Sequence, residues 1–341
     1  MATLSSLNPT MLDLARATDP DGKIAMVAEV LSEDNEILDE MSWIEGNLPT
    51  GNRTTIRTGL PTPTFRKMYE GVKQQKSSTV QVTDNTGMLE AYAEIDKALA
   101  DLNGNSAAFR FQEDRAFLQG MNQKVASTLF YGNEGTEPEA FTGFSPRFND
   151  LAAENADNII AGGGSGTDNA SIWLVVWGPQ TCHGIVPKGS KAGLQVTDKG
   201  QVTVEDASDG SNTGRYEAYR THYRWDVGLT VRDWRYVVRI PNIDKSLLSA
   251  VFNAGTFASG ANLPDLMFQS MRLIPNLNAG RASFYMSRDI ASTVSRQKAA
   301  MGLSSFTEAE NVSGDQRWTE RFNGIPMRRV DALSADEALV T

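Results

Sequence analysis

Residues 51–84 read GNRTTIRTGLPTPTFRKMYEGVKQQKSSTVQVTD, a stretch rich in Thr, Arg, Lys and Gly, with two prolines and few large apolar side chains. No core can be built from it. Thr54 and Ile56 on one side, and Ser78, Val80 and Val82 on the other, alternate as strands do, so the segment from Pro49 to Asp84 is expected to be a long β-hairpin projecting from a body. Two strands of about 12 residues would reach roughly 40 Å at 3.3 Å per residue. An isolated two-stranded ribbon of that size is marginal in water. Such a ribbon must lie on something other than its own chain.

Outward from the ribbon, the first 48 residues read as short helices strung on an arm. Asn8 can cap a helix in which Pro9 takes the first position, where its missing N–H costs nothing. After the turn at Asp19 to Gly22, Ile24, Val27 and Leu31 fall on one helical face, and Ile37, Leu38 and Met41 continue the apolar supply. On the other side, residues 88–102 alternate acidic and apolar residues. Ala107 to Phe130 then forms a long helix of about 36 Å, with Phe109, Ala116, Met121, Val125 and Leu129 near one face. Gly132 and Asn133 supply its stop.

Further along, the continuous apolar run Ile172 to Trp177 fits a strand buried on both faces, preceded by the glycine-rich loop 161–169. From Tyr219 to Val231 the odd positions are largely apolar and the even ones largely polar, a strand with one buried face. The phase flips at Trp234, Tyr236, Val238 and Ile240, which calls for a bulge or turn near Arg232 and Asp233. A helix is expected around Leu263 to Ile274, a strand at Ala282 to Met286, a helix from Asp289 to Met301 and a strand at Ile325 to Val330.

The 341 residues carry 32 Lys and Arg against 42 Asp and Glu, a formal charge of −10. A surface of that sign repels nucleic acid and anionic membrane. At this length one core begins to split, so two lobes are expected. With one Cys there is no internal disulfide, and two His are too few for most zinc sites. No stretch approaches the length of an apolar membrane span.

The chemical candidates reduce to structure. Cys182 and His183 are neighbours on a strand, point to opposite faces and cannot act as nucleophile and base. His222 lies on the polar face of a strand and reads as a structural or interface residue. The run Gly162 to Gly166 lacks the Lys and Ser/Thr of a phosphate loop and precedes its strand, so it reads as a flexible linker. Asp19 and Asp21 resemble half a calcium loop without its closing Glu and read as a turn. Between Arg215 and Arg239 six Arg are interleaved with Tyr and Trp. Their two-residue period separates cation from ring, which argues for a structural or interface sheet over single-strand binding. In the ribbon, Arg53, Arg57, Arg66, Lys67, Lys73 and Lys76 could track phosphates, but on an acidic chain the simpler target is the acidic surface of a neighbouring copy.

The run of signatures MSWIEGN (41–47), the ribbon from Gly51 to Val72 with KSST (76–79), FYGN (130–133), FTGFSPRF (141–148), SIWLVVWGP with HGIVPKGSKAGL (171–194) and DWRYVVRIPNID (233–244) resembles the major capsid proteins of tailed phages with the Hong Kong 97 fold, in the branch found in short-tailed phages. The resemblance implies an α+β fold: an N-terminal arm (1–48), an extended β-hairpin or E-loop (49–86), a peripheral domain with a long spine helix (87–145), a mixed α/β axial domain (146–322) and a C-terminal strand returning to the peripheral domain (323–341). It implies a self-assembling icosahedral shell of hexamers and pentamers that encloses double-stranded DNA without sequence-specific binding. No enzyme activity, cofactor, metal or membrane contact is expected, and no catalytic residue is assigned. The expected interface residues are Arg53, Arg57, Arg66, Lys67, Glu70, Lys73 and Lys76. Lys67, Lys73 and Lys76 are candidates by position alone for the isopeptide crosslink that some phages of this fold make. Separate scaffold, portal and cement or decoration proteins are expected as partners, and the virion capsid, made in the bacterial host cytoplasm, as the location. Two alternatives remain: another phage structural part, such as a tail or decoration protein, and a small soluble enzyme, for which the His and Cys inventory is nearly empty.

Overall fold

The computed structural model describes residues 36–101, 106–190, 193–206, 214–249, 252–253, 256–257, 259–302, 307–312, 315–334 and 336–341. The arm readings before residue 36 lie outside these. The chain divides into two compact units, a smaller one containing Met88–Lys124 and Gly193–Trp225, and a larger one containing Asp34–Gly87, Val125–Ala192 and Asp226–Thr341.

The larger unit starts with helix α1 (Ile37–Glu40) and strand β1 (Trp43–Glu45), followed by the ribbon strands β2 (Gly51–Gly59) and β3 (Ser78–Asp96). After β3 come α2 (Lys97–Asp101) and the long helix α3 (Ser106–Tyr131), whose last residues return to this unit. Its centre is β4 (Asn169–Trp177), in which every residue is buried. Strand β5 (Cys182–Val186) follows directly. Two further strands, β6 (Gln195–Asp206) and β7 (Gly214–Val231), lead to β8 (Val237–Asp244). The short pair β9 (Phe252–Asn253) and β10 (Thr256–Phe257) precedes helix α4 (Leu263–Leu273), strand β11 (Arg281–Met286) and helix α5 (Arg288–Ala300). Strands β12 (Thr307–Val312), β13 (Asp315–Phe322) and β14 (Ile325–Arg329) complete it.

β4 is antiparallel to β11 and to β8, and meets β5 only at Trp177. β14 joins β11 in parallel, and the end of β7 from Gly228 to Val231 pairs antiparallel with β5. Because both faces of β4 are apolar, both need cover. Ile172, Leu174 and Val176 pack with Val238 and Ile240, with Leu263 and Met267 of α4, and with Ile290 and Val294 of α5. On the opposite face Trp173 and Trp177 meet Phe130, Phe144, Phe148 and Tyr285 at ring separations of 5.6 to 6.4 Å, within the range where tilted aromatic pairs add to simple burial.

Arg239, register partner of Trp173, sits in this aromatic layer 2% exposed. Its guanidinium stacks over the Trp173 ring at 5.0 Å and donates to Glu337 Oε2 at 2.7 Å and to the Phe148 carbonyl at 2.7 Å. Glu337 also accepts from Tyr131 Oη at 2.6 Å and from the Ser171 hydroxyl. Asn242 holds the same C-terminal segment through both its amide atoms, at 2.8 and 2.9 Å from the backbone of Val340.

In the smaller unit β6 and β7 form an antiparallel hairpin with a bulge at Gly200. Phe109 packs with Ile95, Leu99 and Tyr219, and Phe117, Leu118 and Met121 pack with Ala93 and Tyr223. Helix α3 matches the expected span, but Ala116 is exposed, and Phe117, one residue on, takes the inward place. Farther along, Val125, Ala126, Leu129 and Phe130 are all buried, so a single-stripe reading serves only the first part of the helix.

Three other expectations are corrected. The glycine run 162–166 is no free linker: Gly162 and Gly164 donate backbone N–H bonds to Pro241 and Asn242 along β8, and a Cβ on Gly164 would lie 2.6 Å from the Asn242 carbonyl oxygen. The expected turn is present beside Arg232 and Asp233, a 3-10 turn capped by Asp233, but Trp234 and Tyr236 lie within it and not on a strand, and β8 beyond it is buried on both faces where one was expected. From Asp226 onward β7 is likewise buried throughout.

The Arg239–Glu337 pair yields a stability test. Glu337→Ala leaves a buried guanidinium without its counter-charge and is expected to cost about 3–5 kcal/mol, whereas Arg239→Met combined with Glu337→Leu should be close to neutral. Thermal unfolding of the three subunits measures both; equal losses in the single and double variants would contradict it.

Candidate functional site

The ribbon is the candidate site, and its base and tip differ in kind. At the base, Thr54 and Asp84 are buried. Arg147 Nη1 donates to Asp84 Oδ1 at 2.8 Å, and the same guanidinium reaches the carbonyls of Thr142 at 3.1 Å and Gly143 at 3.2 Å. Asn47 brackets Arg53 by donating to its carbonyl and accepting from its N–H, both at 2.8 Å. The ribbon is therefore bolted to the larger unit where it leaves it.

Pairing runs in register from Gly51 with Asn85 to Arg57 with Thr79 and ends, after an irregularity, at Gly59 with Ser78. Nine residues of β2 reach about 30 Å, shorter than expected, because Pro61 and Pro63 lack the N–H that a ladder needs. Residues 60–77 form an open tip with one turn, in which Tyr69 takes φ 63° and the Glu70 N–H donates to the Lys67 carbonyl. Leu60, Phe65, Met68, Tyr69 and Val72 are all more than half exposed there, Phe65 and Tyr69 completely.

All seven sequence-predicted interface residues, Arg53, Arg57, Arg66, Lys67, Glu70, Lys73 and Lys76, are exposed. Arg53 Nε donates to Thr83 Oγ1 at 3.2 Å across the strands. The side chains of Arg57, Arg66, Lys67, Glu70, Lys73 and Lys76 make no hydrogen bond or ion pair among the described residues. Lys73 shares a hollow of about 330 Å3 at the tip with Leu60, Pro61, Pro63 and Val72, while the other charges are strung along the loop.

Elsewhere the chemistry is quiet. Cys182 is wholly buried, and desolvation holds its thiol protonated, far above the ordinary range. Burial lowers His183, with the Arg232 charge acting in the same direction. His222 stacks on Tyr92 at 4.5 Å with Nε2 3.3 Å from Glu90, and Arg220 meets Glu94 at 2.6 Å, a cross-strand charge ladder within the smaller unit. Among the described residues no three His, Cys, Asp or Glu are grouped to hold a metal ion, and no helix is long and apolar enough to cross a membrane.

Sequence reasoning missed the anchors. Besides Asp84 with Arg147, Glu40 accepts from Tyr285 Oη at 2.7 Å and from Arg328 Nε at 2.7 Å, tying the start of the described chain to β11 and β14. A single Arg inside the apolar run of β8 was the one legible signal, since a buried cation needs a carboxylate.

The family pattern described as Major capsid protein GP7 matches residues 19–341. A chain in a near-atomic structure of bacteriophage epsilon15, derived from cryo-EM, is 33% identical over 100% of both chains, with a TM-score of 0.77. The bacteriophage JBD30 capsid is 10% identical, covering 90% of this chain and 93% of that one, with a TM-score of 0.47. No curated protein matches.

The exposure of the tip predicts where a protease enters. Limited trypsin treatment of the unassembled subunit is expected to cut first at Arg66, Lys67, Lys73 or Lys76, and N-terminal sequencing of the large fragment identifies the bond. First cleavage within β6 to β8 would contradict the exposed tip.

Proposed function

The chain belongs to the major capsid protein GP7 family, and we propose that its subunits interlock noncovalently through the arm and the ribbon. As a phage capsid component it has the mixed fold of Hong Kong 97-like shells, and the family is structural rather than enzymatic. On this reading the ribbon is the E-loop and α3 the spine helix. The observation that carries it is the tip: five large apolar side chains and four cations stand exposed, with nothing among the described residues to cover them. Their natural cover is a neighbouring copy, in which the same contact repeats around a closed shell.

Charge supports the choice of neighbour. Residues 49–86 carry six basic and two acidic side chains, a net +4, which leaves −14 for the remainder of the chain. The pairs this allows are worth only about 0 to 1 kcal/mol each where solvent reaches them. Hexamers and pentamers of such subunits enclose double-stranded DNA behind a predominantly acidic protein, with separate scaffold, portal and cement proteins as partners.

Two outcomes test this. Arg57→Glu with Arg66→Glu should leave the subunit folded by circular dichroism while abolishing sedimenting closed shells; shells of normal yield would remove the ribbon from assembly. Assembled shells boiled in detergent should run as one band near 37 kDa. A ladder of higher bands would replace noncovalent interlocking with a crosslink through Lys67, Lys73 or Lys76.

A further inference from the structure

We propose that the tip of the ribbon seats on a defined surface of a second copy: the hollow of about 450 Å3 bordered by Tyr131, Asn149, Asp336, Glu337 and Leu339, with the acidic turn 149–157 beside it. This rests on the reading that the ribbon serves assembly, and adds the address at which it does so.

The address follows from charge, shape and vacancy of partners. Residues 134–157 hold six acidic side chains and one basic one, Arg147, which is committed to Asp84. Glu154, Asp157 and Asp336 are exposed and make no ion pair among the described residues. Leu151 N–H donates to the Thr341 carbonyl at 3.1 Å, which joins the acidic turn to the C-terminal segment; Leu151 on the turn and Leu339 on the segment are 37% and 46% exposed. Of the two carboxylates that line the hollow, the buried one, Glu337, is already neutralised by Arg239 and hydrogen-bonded by Tyr131, while Asp336 is exposed at the rim. The floor therefore offers no free charge and suits an uncharged ring, while the rim suits cations.

The tip has that order in its sequence: Phe65, then Arg66 and Lys67, then Met68 and Tyr69. An aromatic residue entering the hollow places the adjacent cations over the acidic rim, where burial of the apolar lip and charge complementarity act together. The tip does not fill the hollow of its own copy, since Phe65 and Tyr69 are fully exposed. The occupant is thus the tip of a second copy.

The test is a charge swap with a geometric check. Glu154→Lys with Asp336→Lys should raise the subunit concentration needed for shell formation at least tenfold, and adding Arg66→Glu with Lys67→Glu should restore most of it. Circular dichroism of the free subunits checks that each variant is folded. In shells carrying Phe65→Cys and Leu339→Cys, mild oxidation should give disulfide-linked multimers that reducing agent returns to monomer. Wild-type assembly by the Glu154→Lys, Asp336→Lys variant, or shells that stay monomeric on oxidation, would overturn the address. If the ribbon variant Arg57→Glu, Arg66→Glu blocks shells while the acidic variant does not, the address alone falls. Normal shells from both would remove the ribbon from assembly as well.

Discussion

A strand with no exposed residue imposes two demands at once, and β4 imposes them on the whole larger unit. Its even side chains need apolar cover, which α4 and α5 provide, and its tryptophans need cover on the reverse face, which comes from Phe130 at the end of α3 and from the loop bearing Phe144 and Phe148. Flanking strands satisfy its backbone on both edges. The register of β8 then sets Arg239 against Trp173 in the dry layer, and a guanidinium there must be paired and hydrogen-bonded or it costs several kcal/mol. Glu337 supplies that charge, so the position of the C-terminal segment follows from the burial of a strand about 160 residues earlier in the chain.

The same device recurs at two other places in the larger unit. Asp84 and Arg147 hold the ribbon at its root, and Glu40 with Arg328 and Tyr285 holds the segment before β1. In each case a mostly buried carboxylate meets an arginine whose remaining donors go to the protein. These pairs specify direction more than they add stability, because a matched apolar replacement can be as stable while a broken pair is not. Rigid roots and open tips are complementary: on the proposed reading, a projection fixed where it starts can reach a neighbour at a defined place without being folded there beforehand.

What could be read in the sequence was local and periodic. The continuous run Ile172 to Trp177, the helices at 263–273 and 288–300 and the ribbon all announce themselves by spacing and composition, and the structure keeps them. The reading of α3 failed at Ala116, where Phe117 one residue on takes the inward place, and it served only the first part of the helix, because from Val125 to Phe130 burial spreads beyond a single stripe. Strands β6, β12 and β13 were not singled out. They are polar strands, read through partners rather than through their own pattern. The anchors were invisible for a different reason: Asp84 and Arg147, or Glu40 and Arg328, are far apart in sequence, and neither residue type announces burial. The glycine run misled because Gly serves close approach as well as freedom, and against β8 it serves the former.

The open tip also fixes the character of the contact it can make. Docking must order a loop whose backbone freedom is worth roughly 1–2 kcal/mol per residue, and it gains the burial of five apolar side chains and a few weak ion pairs. Pro61, Pro63 and the Tyr69 turn lower the entropic cost by restricting the free loop beforehand. Ordering the loop offsets much of what the burial contributes, so on the proposed reading each contact is weak by itself, and weak contacts suit a shell. Subunits that dock in the wrong register can leave again, while closure lets each correct contact be supported by its neighbours. A ribbon that folded tightly on its own body, or bound its neighbour irreversibly at first touch, would lose that capacity to correct errors.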